Sequence, residues 1–235
     1  MRLPERILST DIRASDGIYG IVVNDVPLLT PKGHPVTVLS WELANAMAEE
    51  FMAAGEIDLH RVTLYGLYAT QRDFVEDRVE GTVAAILQHL PGDFVLHPDA
   101  TPALAARQLA AWAPLLTFLR ALGPEVPIAQ PLHEAQIPWE LTEALRAELS
   151  AMHAAQVTVV LQAVTNLGSV SLGMLLARQA ITPEQAVAAL TVTADYAARG
   201  AGAADAEPQA FAAEMRQSVR RLLQYARLGG APLSA

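Results

Sequence analysis

Six histidines, His34, His60, His89, His97, His133 and His153, are the side chains best suited to acid–base or metal chemistry near neutral pH. A zinc site of the H-E-x-x-H kind needs two of them four residues apart on one helix face. None has that spacing, and the nearest groupings are His97-Pro98-Asp99 and His133-Glu134. They read as solvated or locally bonded side chains. An enzyme would have to gather at least two of His97, Asp99 and His133 in a cleft between domains. A nucleophile elbow needs G-x-S-x-G, which Gly168-Ser169-Val170-Ser171-Leu172-Gly173 does not match. A phosphate loop needs a Lys after its second glycine, where this chain has Met174. Gly200 and Gly202 lack the preceding strand of a dinucleotide fingerprint. The carboxylates Glu49-Glu50 and Asp73, Glu76 and Asp77 are expected on solvated helix faces, with Arg72 and Arg78 in ordinary three-and-four pairing. No nucleophile, base and orienting group assemble. The expectation is a protein that is not an enzyme and that carries no cofactor or metal.

The bulk composition points the same way. With 0 cysteines, thiolate catalysis and zinc–cysteine sites are excluded. The net charge of -9 argues against non-specific nucleic-acid binding, which rests on neutralising phosphates. A chain of 235 residues with 52% apolar residues can bury a sizeable core. The N-terminal stretch MRLPERILSTDIRASDG has no apolar signal core and carries Glu5, Asp11 and Asp16. The expected location is the cytoplasm, or the mitochondrial matrix for a chain whose presequence has been removed. Residues 156–177 contain no Asp, Glu, Lys or Arg. Their length suits a bilayer. Gln156, Gln162 and Asn166 do not, because buried amides need partners that a lone span lacks. The stretch therefore reads as a helix buried inside a protein core, not as a membrane insertion.

Positioning elements follow from local signals. Ile18 to Val23 is rich in β-formers, and Asn24-Asp25 suits a tight hairpin turn. Val36 to Leu39 is a further strand candidate. Ser40 caps a helix ending near Gly55, and Leu59 to Leu67 is expected to return to the sheet. From Ala69 onward the period becomes helical, with Phe74, Val75, Val79, Val83, Ile86, Leu87 and Leu90 on one stripe. Asp93 to His97 reads as extended. A helix opening at Thr101-Pro102 carries Leu104, Leu109, Trp112, Leu115, Leu116 and Leu119, with Trp112 in the core. An extended connector spans 124–131. Helices follow near 138–151, 154–178, 182–198 and 207–228, with a capping box at Thr182 to Gln185 and a mobile loop at 198–208. Arg216, Arg220 and Arg227 form a basic face, solvated or meeting an acidic partner. This is an α+β chain. A small β-rich domain with one helix spans 1–80, and a larger helical domain spans 81–235.

Four blocks, in order, carry a resemblance to a known family. They are NDVPLLTPKGHP with Thr30, Pro31 and Gly33; RQLAAWAPLL with Gln108, Trp112 and Pro114; VPIAQP with Gln130 and Pro131; and TNLGSVSLGMLLARQAITPEQA with Gly168 and Ser169. The chain resembles the assembly chaperones that bind the free α subunit of F-type ATP synthase, as a divergent member. The resemblance implies a β-rich unit followed by a helical one. It also implies a holdase-like role: shielding the α subunit until the β subunit takes over, with no cofactor. A monomer suits a chaperone that must release its client. The chain departs from the family where contacts are expected. Phe51 replaces a Trp, Val26 and Leu29 replace basic residues, and His97-Pro98 replaces a Tyr-Arg pair. In TADYAARGAG only Asp195 and Tyr196 remain of an acidic and aromatic cluster. Asp195, Tyr196 and Phe51 are therefore the partner-binding candidates. For Phe51 and Tyr196 the alternative is core packing, and for Asp195 a solvated carboxylate. Gly168 is expected to allow close packing within a continuous helix. Another protein client on a diverged scaffold is the alternative function.

Overall fold

A computed structural model describes residues 7–54, 62–123, 125–129, 135–201 and 206–229. Two pairs of left-handed residues fold the N-terminal segment back on itself. Asp16 and Gly17 have φ of 50° and 77°, and Asn24 and Asp25 have φ of 49° and 65°. Both are the mirror-image turns that match the twist of paired strands. They join β1 (Thr10–Ser15), β2 (Ile18–Val23) and β3 (Val26–Pro27). β4 (Thr37–Val38) also pairs with β2, so β2 lies inside the sheet and β1 at its edge. The strand β1 was not expected: its sequence TDIRAS has little β-forming character beyond Ile12.

Helix α1 (Trp41–Ala54) starts where Ser40 Oγ accepts a bond from Leu43 N at 3.1 Å. It buries Leu43, Met47 and Phe51 against the sheet. The expected return strand to Leu67 is instead helical. Leu64–Thr70 forms α2, started by Thr63 Oγ1 accepting from Gly66 N at 2.9 Å. That cap, with Leu64, Leu67 and Tyr68 buried at helical spacing, outweighs the β propensity of the stretch. Residues 59–61 of that expectation lie outside the described residues. A wide π turn (Gln71–Val75) and a tight 3-10 turn (Glu76–Arg78) follow, before α3 (Val79–Gln88). The π turn rotates Phe74 off the expected stripe, leaving it 53% exposed.

Asp93 to His97 is likewise not extended, because Phe94–Leu96 is a 3-10 turn. The next helix divides at Trp112 into α4 (Pro102–Ala111) and α5 (Ala113–Leu122). Pro114 fits there because the first turn of a helix needs no donor from it. α6 (Trp139–Ser150) leads to α7 (Ala154–Leu167) and α8 (Val170–Ala177). The long apolar stretch is thus two helices. Gly168 is not inside a helix: it closes α7 with φ of 71°. A left-handed residue at a helix end is the usual place for glycine. The close-packing glycine is Gly173, whose added Cβ would meet Val160 Cα and Ala163 Cβ at 3.0 Å. Ser169 Oγ caps α8 by accepting from Leu172 N at 3.0 Å. α9 (Pro183–Ala201) and α10 (Ala206–Leu228) complete the chain. The expected capping box is present, with Thr182 Oγ1 and Gln185 Oε1 exchanging bonds to backbone N–H groups. The loop expected at 198–208 is helical at 198–201 and again from 206.

A single cluster of buried apolar residues runs from Ile21 through α1, α2 and α3 to α7, α8 and Tyr225. Every residue of α8 is buried. At its start lies Asp93, fully buried, whose Oδ2 accepts from Ser171 N at 2.8 Å. Burial pushes this carboxyl above its ordinary range, and the Ser171 amide with the Ser169 and Ser171 hydroxyls pulls it back. Among the described residues, no helix is long and apolar enough to cross a membrane.

Two substitutions test this packing. Asp93→Ala strands the first amides of α8 in the core and is expected to lower stability by about 3 kcal/mol in urea unfolding. Gly173→Ala forces α7 and α8 apart, and is expected to cost about 1–3 kcal/mol in the same assay.

Candidate partner-binding site

The first resemblance block folds into a rigid exposed turn. Thr30 is fully buried and donates from Oγ1 to Asp73 Oδ1 at 2.6 Å. Lys32 N donates to Asp73 Oδ2 at 3.0 Å, and His34 Nδ1 lies 2.8 Å from Asp73 Oδ1. Asp73 is therefore buried under the turn, not on a solvated face. Burial alone would raise its pKa, but the bonds from Thr30, His34 and Lys32 outweigh it and hold the carboxyl below its ordinary range. Gly33, with φ of 88°, closes the turn where other residues would be strained. Pro31 sits at its tip, exposed. The Lys32 ammonium lies 4.1 Å from the centre of the exposed Phe74 ring.

Glu50 also leaves its expected solvated face. It is buried, accepts from Leu64 N at 2.8 Å and pairs with Arg221 Nε on α10 at 3.0 Å. Burial raises its pKa, and Arg221 opposes the rise.

The third arrangement joins α4 to α9. Gln108 Oε1 accepts from Asp99 N at 2.7 Å, while its amide donates to Thr193 Oγ1 at 3.0 Å. Trp112, in the core as expected, donates from Nε1 to Ala189 O at 2.9 Å. This clamp sets Arg107 over the Tyr196 ring, 5.3 Å from its centre. Tyr196 is half-buried and Asp195 exposed, its carboxylate accepting from Thr191 Oγ1 at 3.0 Å. One turn back on α9, Thr193 lines a cavity of about 250 Å³ with Phe94, Leu190 and Phe211. Phe211 is a partly exposed apolar side chain here that sequence periodicity did not single out, and Leu109, expected on the buried stripe of its helix, is instead partly exposed.

The structure thus brings Asp195 and Tyr196 together and separates Phe51 from them. Phe51 is 0% exposed and packs edge-on against Tyr65, with centroids 5.4 Å apart. It is a core side chain, not a surface contact. Gln130, Pro131 and His133 lie outside the described residues. His97 is tied locally, its Nε2 lying 2.6 Å from Pro91 O, and Asp99 accepts from Thr101 N at 2.7 Å. A cavity of about 560 Å³ among the described residues is lined by neither. Its own polar groups pair with one another, through Arg72–Glu76 at 2.7 Å and Tyr225 Oη to Gln71 at 2.6 Å. Among the described residues no three His, Cys, Asp or Glu side chains converge as a metal site would require.

The chain thus combines a small antiparallel sheet, a helical array and partly exposed aromatic side chains. Residues 8–120 match the family profile described as ATP12 chaperone protein. Atp12 from Paracoccus denitrificans shares 24% identity and a TM-score of 0.75, covering 94% of this chain and 96% of that one. A single-residue mutant of the same Paracoccus protein shares 26% identity and a TM-score of 0.74 over the same shares of each chain, 94% and 96%. The Atu1473 protein of Agrobacterium tumefaciens shares 22% identity and a TM-score of 0.77, covering 95% of this chain and 85% of that one. Comparison with curated proteins finds no match. The first half of this chain thus carries the ATP12 chaperone profile, and the whole of it is similar in fold to Atp12.

The depressed pKa of Asp73 carries a sign. The ionised carboxylate is bonded in the folded state, so its contribution is present above the unfolded pKa of about 4 and is lost as pH falls through the lower folded pKa. The stability gap between the wild type and Asp73→Asn is therefore expected to be full at neutral pH and to narrow below about pH 4. Urea midpoints measured at neutral and acid pH check this.

Proposed function

We propose that this protein is an assembly chaperone for F-type ATP synthase that holds the free α subunit until the β subunit displaces it. The observation that carries the reading is the ATP12 profile match over 8–120, joined to a fold shared with Atp12 over 94% of the chain. The client itself comes from the family resemblance. A holdase needs exposed contact surface and no reaction chemistry, and the local pairing of His97 and Asp99 agrees with that. Asp195, Tyr196 and the neighbouring Phe211 are the proposed contacts on the helical side. A half-buried aromatic ring held in place by a cation is preorganised, which limits the entropy lost on binding. The site of action is the bacterial cytoplasm, or the mitochondrial matrix.

The test is capture of partners from the protein's own cell extract on the tagged full chain. The α subunit should be enriched without the β subunit. Recovery of a different protein, or of none, would overturn the reading. Tyr196→Ala is expected to weaken α-subunit binding by about tenfold, as loss of an aromatic anchor does, with thermal unfolding unchanged. Tyr196→Phe keeps the ring under Arg107 and should bind nearly as well as the wild type.

A further inference from the structure

The strand β1 exposes a free edge beside an apolar and acidic concavity. Two-residue hairpins are closed by a hydrogen-bonded pair, here Ser15 and Ile18. Pairing alternates along the ladder, and Asn24 N donating to Ser9 O at 3.0 Å confirms the phase. Thr10, Ile12 and Ala14 are then the residues whose N–H and C=O groups point away from β2. Among the described residues no backbone partner faces them. On the other side of β2 the equivalent outward groups are paired, as in Ile21 N to Val36 O at 3.2 Å. On that side the sheet continues into β3 and β4, whereas beyond β1 no further strand pairs among the described residues.

Alongside it, β1 and the outer stripe of α1 enclose a shallow concavity of about 360 Å³. Its walls include Ile12, Trp41, Ala48 and Met52, with Asp11 and Glu49 at the rim. Trp41 is 47% exposed and Met52 51%, which is unusual for side chains of that size. Trp41 is held edge-on against Tyr19, with centroids 5.6 Å apart, so the apolar wall is preformed. Among the described residues, no Lys or Arg lines the concavity.

We infer that β1 and this concavity accept an extended segment of the client, which adds a strand to the sheet edge and sets alternate apolar and basic side chains against Trp41–Met52 and Asp11–Glu49. Strand addition supplies affinity through the backbone, and the pocket for alternate side chains supplies selectivity. Charge decides the occupant. A second copy of this chain would bring Asp11 and Glu49 against their own counterparts, which repel. A segment with Lys or Arg at alternate positions pairs with them. The inference rests on the client-binding reading and names a surface on the opposite unit from Asp195 and Tyr196.

The experiment uses the full chain and the isolated α subunit from the same organism. Affinity is measured for the wild type and for Glu49→Lys/Met52→Lys, both exposed positions. Amide hydrogen exchange of Thr10, Ile12 and Ala14 is followed with and without the α subunit. The expected results are binding weakened at least about tenfold in the double variant, with the melting temperature unchanged, and slowed exchange of those three amides in the complex. If the wild type binds but neither result appears, this surface is not used and the inference is overturned while the chaperone reading stands. Weaker binding without amide protection would overturn strand addition. A dimer whose self-association protects the same amides would replace the client with a second copy and overturn the inference. If the wild type does not bind the α subunit, the functional reading fails and this inference falls with it.

Discussion

Asp93 is a carboxylate with no exposure to water, held at the first turn of a helix that is itself entirely buried. A helix start leaves amides without intrahelical partners, and in a dry core those amides cannot turn to solvent. α8 can lie in the middle of the molecule only because Asp93, with Ser169, satisfies its first turn. The reverse also holds. The Asp93 carboxyl is tolerable there because Ser171 N bonds it at the start of α8. This mutual dependence ties the segment after α3 to the break between α7 and α8. Phe94 N bonding to Gly168 O at 3.4 Å reinforces the tie. The rest of the helical array then packs around α8, with α7, α5 and α10 all in contact with it.

The same device recurs twice at smaller scale. Glu50 satisfies the start of α2 and reaches Arg221 on the last helix, so the β-rich unit is tied to the end of the chain. Asp73 satisfies the Thr30–His34 turn from inside the π turn. In each case a carboxylate in one element completes the hydrogen bonding of another that is remote in sequence. Removing a partner leaves a buried group stranded, which costs more than the bond contributes when made. Among the described residues, no buried side-chain N or O atom lacks a partner. That completeness specifies one arrangement of the elements where apolar packing alone would allow several.

What could be read from the sequence was what is decided locally. The Asn24-Asp25 turn, the Ser40 cap and the Thr182–Gln185 box each depend on residues within four positions, and all were legible. The three carboxylates were not. Asp73 meets Thr30 across 43 positions and Asp93 meets Ser171 across 78. Glu50 and Asp73 looked like ordinary solvated helix residues, and Asp93 like the start of an extended segment. Periodicity misled in a related way at 156–177, where a run apolar on all sides hides its own break. Gly168-Ser169 was the available signal, a left-handed stop followed at once by a cap. Of the site, Trp112 was legible as core from its helical spacing. The exposure of Trp41, Met52 and Phe74 was not, because an aromatic or Met at helical spacing is ordinarily buried.

Those exposed side chains bear on how the chain has diverged. Positions that hold the fold together, such as Thr30, Gln108, Trp112 and Ser169, each have an internal partner that would be stranded by substitution. The contact candidates have no such constraint. Among the described residues, Asp195 bonds within its own helix and Tyr196 is held by the Arg107 cation. Surface of this kind can change at little cost to stability, at most a few tenths of a kcal/mol per position away from special features. It changes freely unless a partner selects against it. Phe51 marks the boundary between the two regimes. It stands where the family carries a larger aromatic, yet it is sealed against Tyr65, so the substitution is one of core volume rather than of contact. The acidic and aromatic positions that the resemblance implies around Tyr196 lie on surface of this second kind, so their substitution leaves the architecture intact. On the reading proposed above, a client draws on Tyr196 and on the preformed apolar wall beside β1, where Trp41 and Met52 stay exposed.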